Sequence, residues 1–157
     1  MFLKLENPPI DGTSMTPRHE REIEVLSWSH GFSQQTSPTR PGSEEQAAHS
    51  PFNFSKYLDV ATSALLKLCW TGKQIGKATV TCLRPDTPSG SPPVEYLTII
   101  MEHVVITNYS VSGGPGDVPV ENLSLEYGIV TYRYAPQAAG SGSETSAKHN
   151  RKTGVIE

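Results

Sequence analysis

The sequence predicts a mostly-β fold: an antiparallel β-barrel of about seven strands with one short α-helix packed outside it or across one end. Three observations carry this expectation. Gly and Pro each occur 13 times in 157 residues, which marks a chain of many turns. The apolar stretches mostly alternate with a period of two. One stretch alone, after Asp59, changes to helical spacing.

MFLKL reads as a short strand closed by the turn residues NPPIDG. A second strand is expected around Ile23 to Trp28, within HEREIEVLSWSHGFSQ. SQQTSPTRPGSEEQAAHSP, from Ser33 to Pro51, is polar and aperiodic. At about nineteen residues it exceeds the usual loop, so it is expected to be a functional loop or disordered. FNFSKYL sets Phe52 and Phe54 against polar neighbours. In DVATSALLKLCWTGK, Ala61, Leu65, Leu68 and Cys69 fall at helical spacing and predict one helix of about ten residues. Thr62 or Ser63 is expected to cap its start, and Gly72 to end it in the left-handed conformation.

Strands then resume. GKATVTCLRP alternates Ala78, Val80 and Cys82 against Thr79 and Thr81. After the turn cluster DTPSGSPP comes the longest run, VEYLTIIMEHVVITNYSVSGG, from Val94 to Gly114. One parity of it carries Leu97, Ile99, Met101, Val105, Tyr109 and Val111; the other carries Tyr96, Ile100, Val104 and Ile106. An antiparallel strand with one face in water needs only one apolar face, so both sides of this run are expected to be covered. A bend is expected near Glu102 and His103. LSLEYGIVTYRYAP, from Leu123 to Pro136, is also apolar on both faces for part of its length. From Gln137 the chain is small, polar and aperiodic, and reads as a flexible tail. The expected division is residues 1–136 as the barrel and 137–157 as the tail.

The net charge of −3 argues against a nucleic-acid binder. No segment approaches the roughly 20 apolar residues of a membrane helix, so no membrane insertion is expected. The N-terminus lacks the basic and apolar regions of a secretory signal peptide. Cys69 and Cys82 read as small buried thiols of a reduced compartment. The five histidines show no metal-ligand spacing, and SGGPG lacks the Lys-Ser/Thr of a phosphate loop. Neither an enzyme nor a cofactor or metal is expected. What remains is surface. Ser27, Ser29 and Gly31 share a face that is small, polar and uncharged. It fits a solvent face near a strand end, and equally a smooth wall of a water-filled channel in an assembly.

The pieces FLKL, IDGTS, EIEVLSWSHGFSQ, FNFSKYLDVATSALL, TGKQIGKATVT, VEYLTIIMEHVVITNYSVSGG and ENLSLEYGIVTYRYAPQ occur in that order. Together they resemble the hemolysin-coregulated protein (Hcp) family, the inner-tube protein of bacterial type VI secretion, from Phe2 to about Gln137. The Ser33–Pro51 loop and the tail depart from it. The resemblance implies a β-barrel with a helix that assembles into a homo-hexameric ring. It implies rings stacked into a tube inside a contractile sheath, tipped by a spike protein and expelled into a target cell, with effector proteins carried in the channel. It implies a bacterial cytoplasmic protein that is secreted without a cleaved signal peptide. On this resemblance Ser27 and Ser29 become candidates for the channel wall. Val104, Ile106 and Tyr132 become candidates for the subunit interface. Ser37, Glu44, Glu45, Gly114 and Asp117 become candidates for ring stacking. Two other readings compete: a monomeric barrel holding a small ligand, and a secreted effector on the same fold. The first would need a polar outer face on every strand, and the second an added domain or a catalytic cluster.

Overall fold

The computed structural model describes residues 1–34, 47–84, 93–136 and 143–157. In chain order the elements are β1 (Phe2–Glu6), β2 (Ile23–Glu24), β3 (Ser27–Ser29), β4 (Phe32–Ser33), β5 (Ala48–His49), β6 (Phe52–Tyr57), α1 (Thr62–Thr71), β7 (Ile75–Arg84), β8 (Val94–Ser112), β9 (Val120–Glu126), β10 (Ile129–Tyr134) and β11 (Thr145–Asn150). The fold is mostly β, antiparallel, with one helix. The main sheet runs β2-β1-β7-β8-β9-β6-β3, with β10 on β8 and β11 on β10; β4 and β5 form a separate ribbon.

The expected barrel is not closed. Among the described residues the end strands β2 and β3 share no ladder. They are consecutive in the chain, and the two residues between them turn the corner. The Val25 N–H donates to Met1 O (3.0 Å) and the Leu26 N–H to Ser55 O (2.8 Å), one bond to each end of the sheet. Covalent backbone therefore joins the two edges where a barrel would use hydrogen bonds. Inside the curl lies one core, with Leu3, Ile23, Phe52, Ile75, Val80, Ile99, Met101, Leu123 and Leu125 almost fully buried.

The helix packs Leu65 and Leu68 inward, while Trp70 is exposed. Its start differs from expectation, because neither Thr62 nor Ser63 caps it. Asp59 acts first: its carboxylate accepts the Ala61 N–H (2.9 Å), and Thr62 Oγ1 turns back to accept the Asp59 N–H (3.1 Å). Gly72 ends the helix with φ 61°, as expected. A Cβ there would meet nothing within 4 Å. Gly72→Ala should therefore cost only the left-handed backbone penalty, about 1 kcal/mol. A denaturant melt that shows no loss would mean this terminus is not held left-handed in solution.

Strand β8 accounts for the apolar run. Its first half lies between β7 and β10, and its second half pairs with β9. The inward parity changes twice. Ile99 and Met101 point into the core, then Val104 and Ile106 do, and then Tyr109 packs against it. The first change falls at His103, whose φ is 57°. The second is the register irregularity between Ile106 and Asn108. At His103 β8 and β7 change face together with their register kept, whereas the extra residue Thr107 re-aims the side chains of β8 alone. Much of the two-faced appearance thus comes from one face that changes parity. The expected bend at Glu102–His103 is the first of these points.

Residues 145–157 also differ from the expected tail. β11 pairs with β10 from Ile129↔Asn150 to Tyr134↔Thr145. The chain then turns back, and Lys148 and Glu157 exchange backbone hydrogen bonds of 2.8 and 2.9 Å. β11 is an edge strand held by its backbone, so its side chains carry no apolar pattern to read.

Candidate functional site

Register builds a polar surface from four strands. Ser27 lies opposite Ser55, Ser55 opposite Asn122, and Asn122 opposite Ser110. The next row on this face is Ser29, Asn53, Ser124 and Asn108. Paired positions share a face, so these eight side chains form two parallel rows of serine and asparagine. The row between them points the other way. Trp28, Phe54, Leu123 and Tyr109 pack into or against the core, and Trp28 stacks on Phe52 with ring centroids 5.6 Å apart.

The polar rows partly satisfy one another. The Ser27 and Ser55 hydroxyls share a 2.5 Å hydrogen bond, and Ser124 Oγ donates to Asn53 Oδ1 at 2.6 Å. A shallow depression of about 280 Å³ lies over them. Neither row contains a charge. Lys56 and Glu121 are the ionisable neighbours of Ser55 and Asn122 in the chain, and both point inward, fully buried and paired with each other. Lys56 Nζ also reaches Asp59 (2.8 Å) and donates to Tyr57 O (2.9 Å), and the Tyr109 hydroxyl donates to Glu121. Burial, then the bond to Glu121, pushes the Tyr109 hydroxyl's pKa upward.

Ser27 and Ser29 both lie on this exposed surface. Sequence reasoning missed their partners Asn53, Ser55, Asn108, Ser110, Asn122 and Ser124. Each is polar in an alternating strand, but only the register shows that they share one face. Val104 (0 % exposed) and Ile106 (2 %) sit in the chain's own core, so they offer no surface to a neighbour. Tyr132 is half-buried, with its hydroxyl 2.6 Å from His30 Nδ1. Gly114 and Asp117 are exposed in the turn between β8 and β9, where the Asp117 N–H donates to Gly114 O at 3.4 Å. Ser37, Glu44 and Glu45 lie outside the described residues.

Among the described residues no group of three or more His, Cys, Asp or Glu side chains is placed to hold a metal ion. No helix among them is long and apolar enough to cross a membrane. Fold and site define a β-rich protein that presents a smooth, uncharged surface. The family described as "Type VI secretion system effector, Hcp" matches residues 2–134, and the chain belongs to it. It is 32% identical over 147 residues to protein hcp1 of Pseudomonas aeruginosa, covering 92% of this chain and 88% of that one. It is also similar to the crystal structure of a type VI secretion system effector from Yersinia pestis, with TM-score 0.78, 31% identity and coverage of 95% and 98% of the two chains. The crystal structure of Hcp1 from Salmonella typhimurium gives TM-score 0.80, 28% identity and coverage of 99% and 97%. Hcp proteins are structural components of type VI secretion rather than a known enzyme family, and membership supports the role of tube subunit.

Proposed function

We propose that this chain assembles into a ring of six whose channel is lined by the two serine–asparagine rows, and that stacked rings form the tube expelled by type VI secretion. The observation that carries the channel is the arrangement of those rows. They span four strands, carry no charge, and are backed by Trp28, Phe54 and Leu123. Short uncharged side chains let a cargo protein pass without a strong ionic contact. The ring closes head to tail, as heterologous contacts that meet themselves must. Val104 and Ile106 are internal, so the ring contacts come from other residues, with half-buried Tyr132 retained as a candidate. Stacking uses the Gly114–Asp117 turn and the 33–51 segment. The spike protein and contractile sheath are the tube's partners, effectors are its cargo, and the protein is secreted from the bacterial cytoplasm.

Native mass spectrometry with negative-stain imaging tests the ring. A mass near six subunits with annular particles is expected, and a clean monomer at micromolar concentration would overturn it. Ser29→Gln tests the wall, because it adds bulk without charge. Ring formation should persist while a co-expressed effector is retained less, and unchanged retention would show that cargo does not touch this face.

A further inference from the structure

His30, His49 and His149 lie on three separate segments. The fold threads them onto one line of hydrogen bonds. His149 Nδ1 is 2.7 Å from His49 Nε2, and His49 Nδ1 is 2.8 Å from the Tyr127 hydroxyl. The same hydroxyl is 2.6 Å from His30 Nε2, and His30 Nδ1 is 2.6 Å from the Tyr132 hydroxyl.

Counting protons shows what this line tolerates. A neutral imidazole has one N–H and one bare nitrogen, and a phenol has one O–H. With all three histidines neutral, the four contacts fill with protons that all run the same way. One extra proton also fits, because an imidazolium donates from both nitrogens and the bonds run outward from it. A second does not fit. If His30 and His49 are both charged, both donate to the Tyr127 oxygen, and its own proton loses its partner. If His49 and His149 are both charged, two N–H groups oppose each other across one contact. Charging His30 and His149 again leaves the Tyr127 proton stranded.

The surroundings act both ways, and burial prevails. Arg151 Nη1 donates to the Glu126 carboxylate (2.7 Å) and to Tyr127 O (3.0 Å), and its guanidinium lies 5.4 Å from the centre of the Tyr127 ring. Arg151 disfavours added positive charge, while Glu126 and, for His30, a hydrogen bond to the Ser50 backbone favour it. Burial, followed by the neighbouring His49, holds His30 down to about 4; burial, followed by His149, lowers His49. Burial also raises both tyrosine hydroxyls, Tyr132 to about 12, so they remain phenols.

The line anchors the β4–β5 ribbon. Among the described residues these two strands pair only with each other, and a lone hairpin is marginal in water. The Phe32 ring lies against His30 (4.5 Å), His49 (4.8 Å) and Tyr132 (5.8 Å), so the ribbon, which continues the β3–β6 pair through Gly31 and Ser50, packs on β10 through this cluster.

We propose that His30, His49 and His149 form a pH-operated latch that holds the β4–β5 ribbon on β10 and the Tyr127 corner while at most one of them is charged, and releases it when acidification adds a second proton. The sign follows from linkage. The latched form resists protonation more than the released form does. It is favoured above the ordinary histidine value of 6.5 and loses ground as pH falls from there toward about 4.

Hydrogen exchange on the full chain, corrected for intrinsic rates, tests the latch at about pH 7 and about pH 5. Ribbon amides should lose about tenfold in protection at the lower pH, while β7 and β8 keep theirs. His49→Gln removes the central titrating group but keeps a donor and an acceptor, and should largely abolish that loss. Unchanged ribbon protection in the native chain, or an equal loss in the variant, overturns the proposal. Ring titration of the native chain by NMR needs no variant. His30 and His49 should titrate below the ordinary range, and independent titrations near 6.5 would equally overturn it.

Discussion

Replacing Glu121 with alanine is expected to cost the fold about 3–5 kcal/mol, the loss typical of removing one partner from a buried ion pair. Lys56 and Glu121 are both at 0 % exposure. Without Glu121, the Lys56 ammonium keeps Asp59 and one backbone carbonyl, and the Tyr109 hydroxyl loses its acceptor. Desolvation of the ammonium is then only partly offset. The double change Lys56→Met with Glu121→Leu should recover most of the loss, since apolar replacement of a whole buried pair is often near neutral. Urea melts of the wild type and the two variants decide this. A single variant within about 1 kcal/mol of the wild type would mean the pair is not dry in solution. The pair also explains how Ser55 and Asn122 come to lie on an uncharged face. The pleat that turns those two outward turns Lys56 and Glu121 inward, and an inward charge must be matched.

Ile106→Asp should abolish cooperative folding. Ile106 is 2 % exposed and packs in the core opposite Leu125. An unpaired carboxylate there costs several kcal/mol, comparable to the whole stability of a domain this size. Circular dichroism during a thermal melt distinguishes the outcomes. Loss of the transition places Ile106 in the core, whereas a well-folded monomer would place it against a neighbouring subunit.

Ile106 also shows where the sequence stops being readable. Counting parity along Val94–Ser112 assumes an unbroken pleat, and this strand breaks it at His103 and again between Ile106 and Asn108. Inside regular strands the count works. Phe52 and Phe54 are buried as alternation demands, and so are Val80 and Cys82. The helix and its Gly72 end were legible for the same reason, because local spacing and backbone conformation decide them. Closure was not legible, since nothing in Ile23–Ser29 tells whether the edges meet by hydrogen bonds or by two linking residues. Two serines of the polar surface could be found from SWS alone. The other six positions depend on register between distant strands, as does the meeting of His30, His49 and His149, and no local pattern encodes it.

The parity changes in β8 make its length as informative as its composition. Between Ile106 and Asn108 the strand holds one residue more than β9 opposite it. Thr107 is the residue without a register partner on β9, so deleting it would leave Asn108 opposite Ser124 and Tyr109 opposite Leu123. A residue inserted after Asn108 would instead turn Tyr109 toward the solvent face and bring Ser110 into the interior. A side chain here can be exchanged at the cost of one contact, whereas a residue added to the paired stretch rewrites every contact beyond it. This part of the chain therefore has freedom in spelling, and in word length only at its unpaired position.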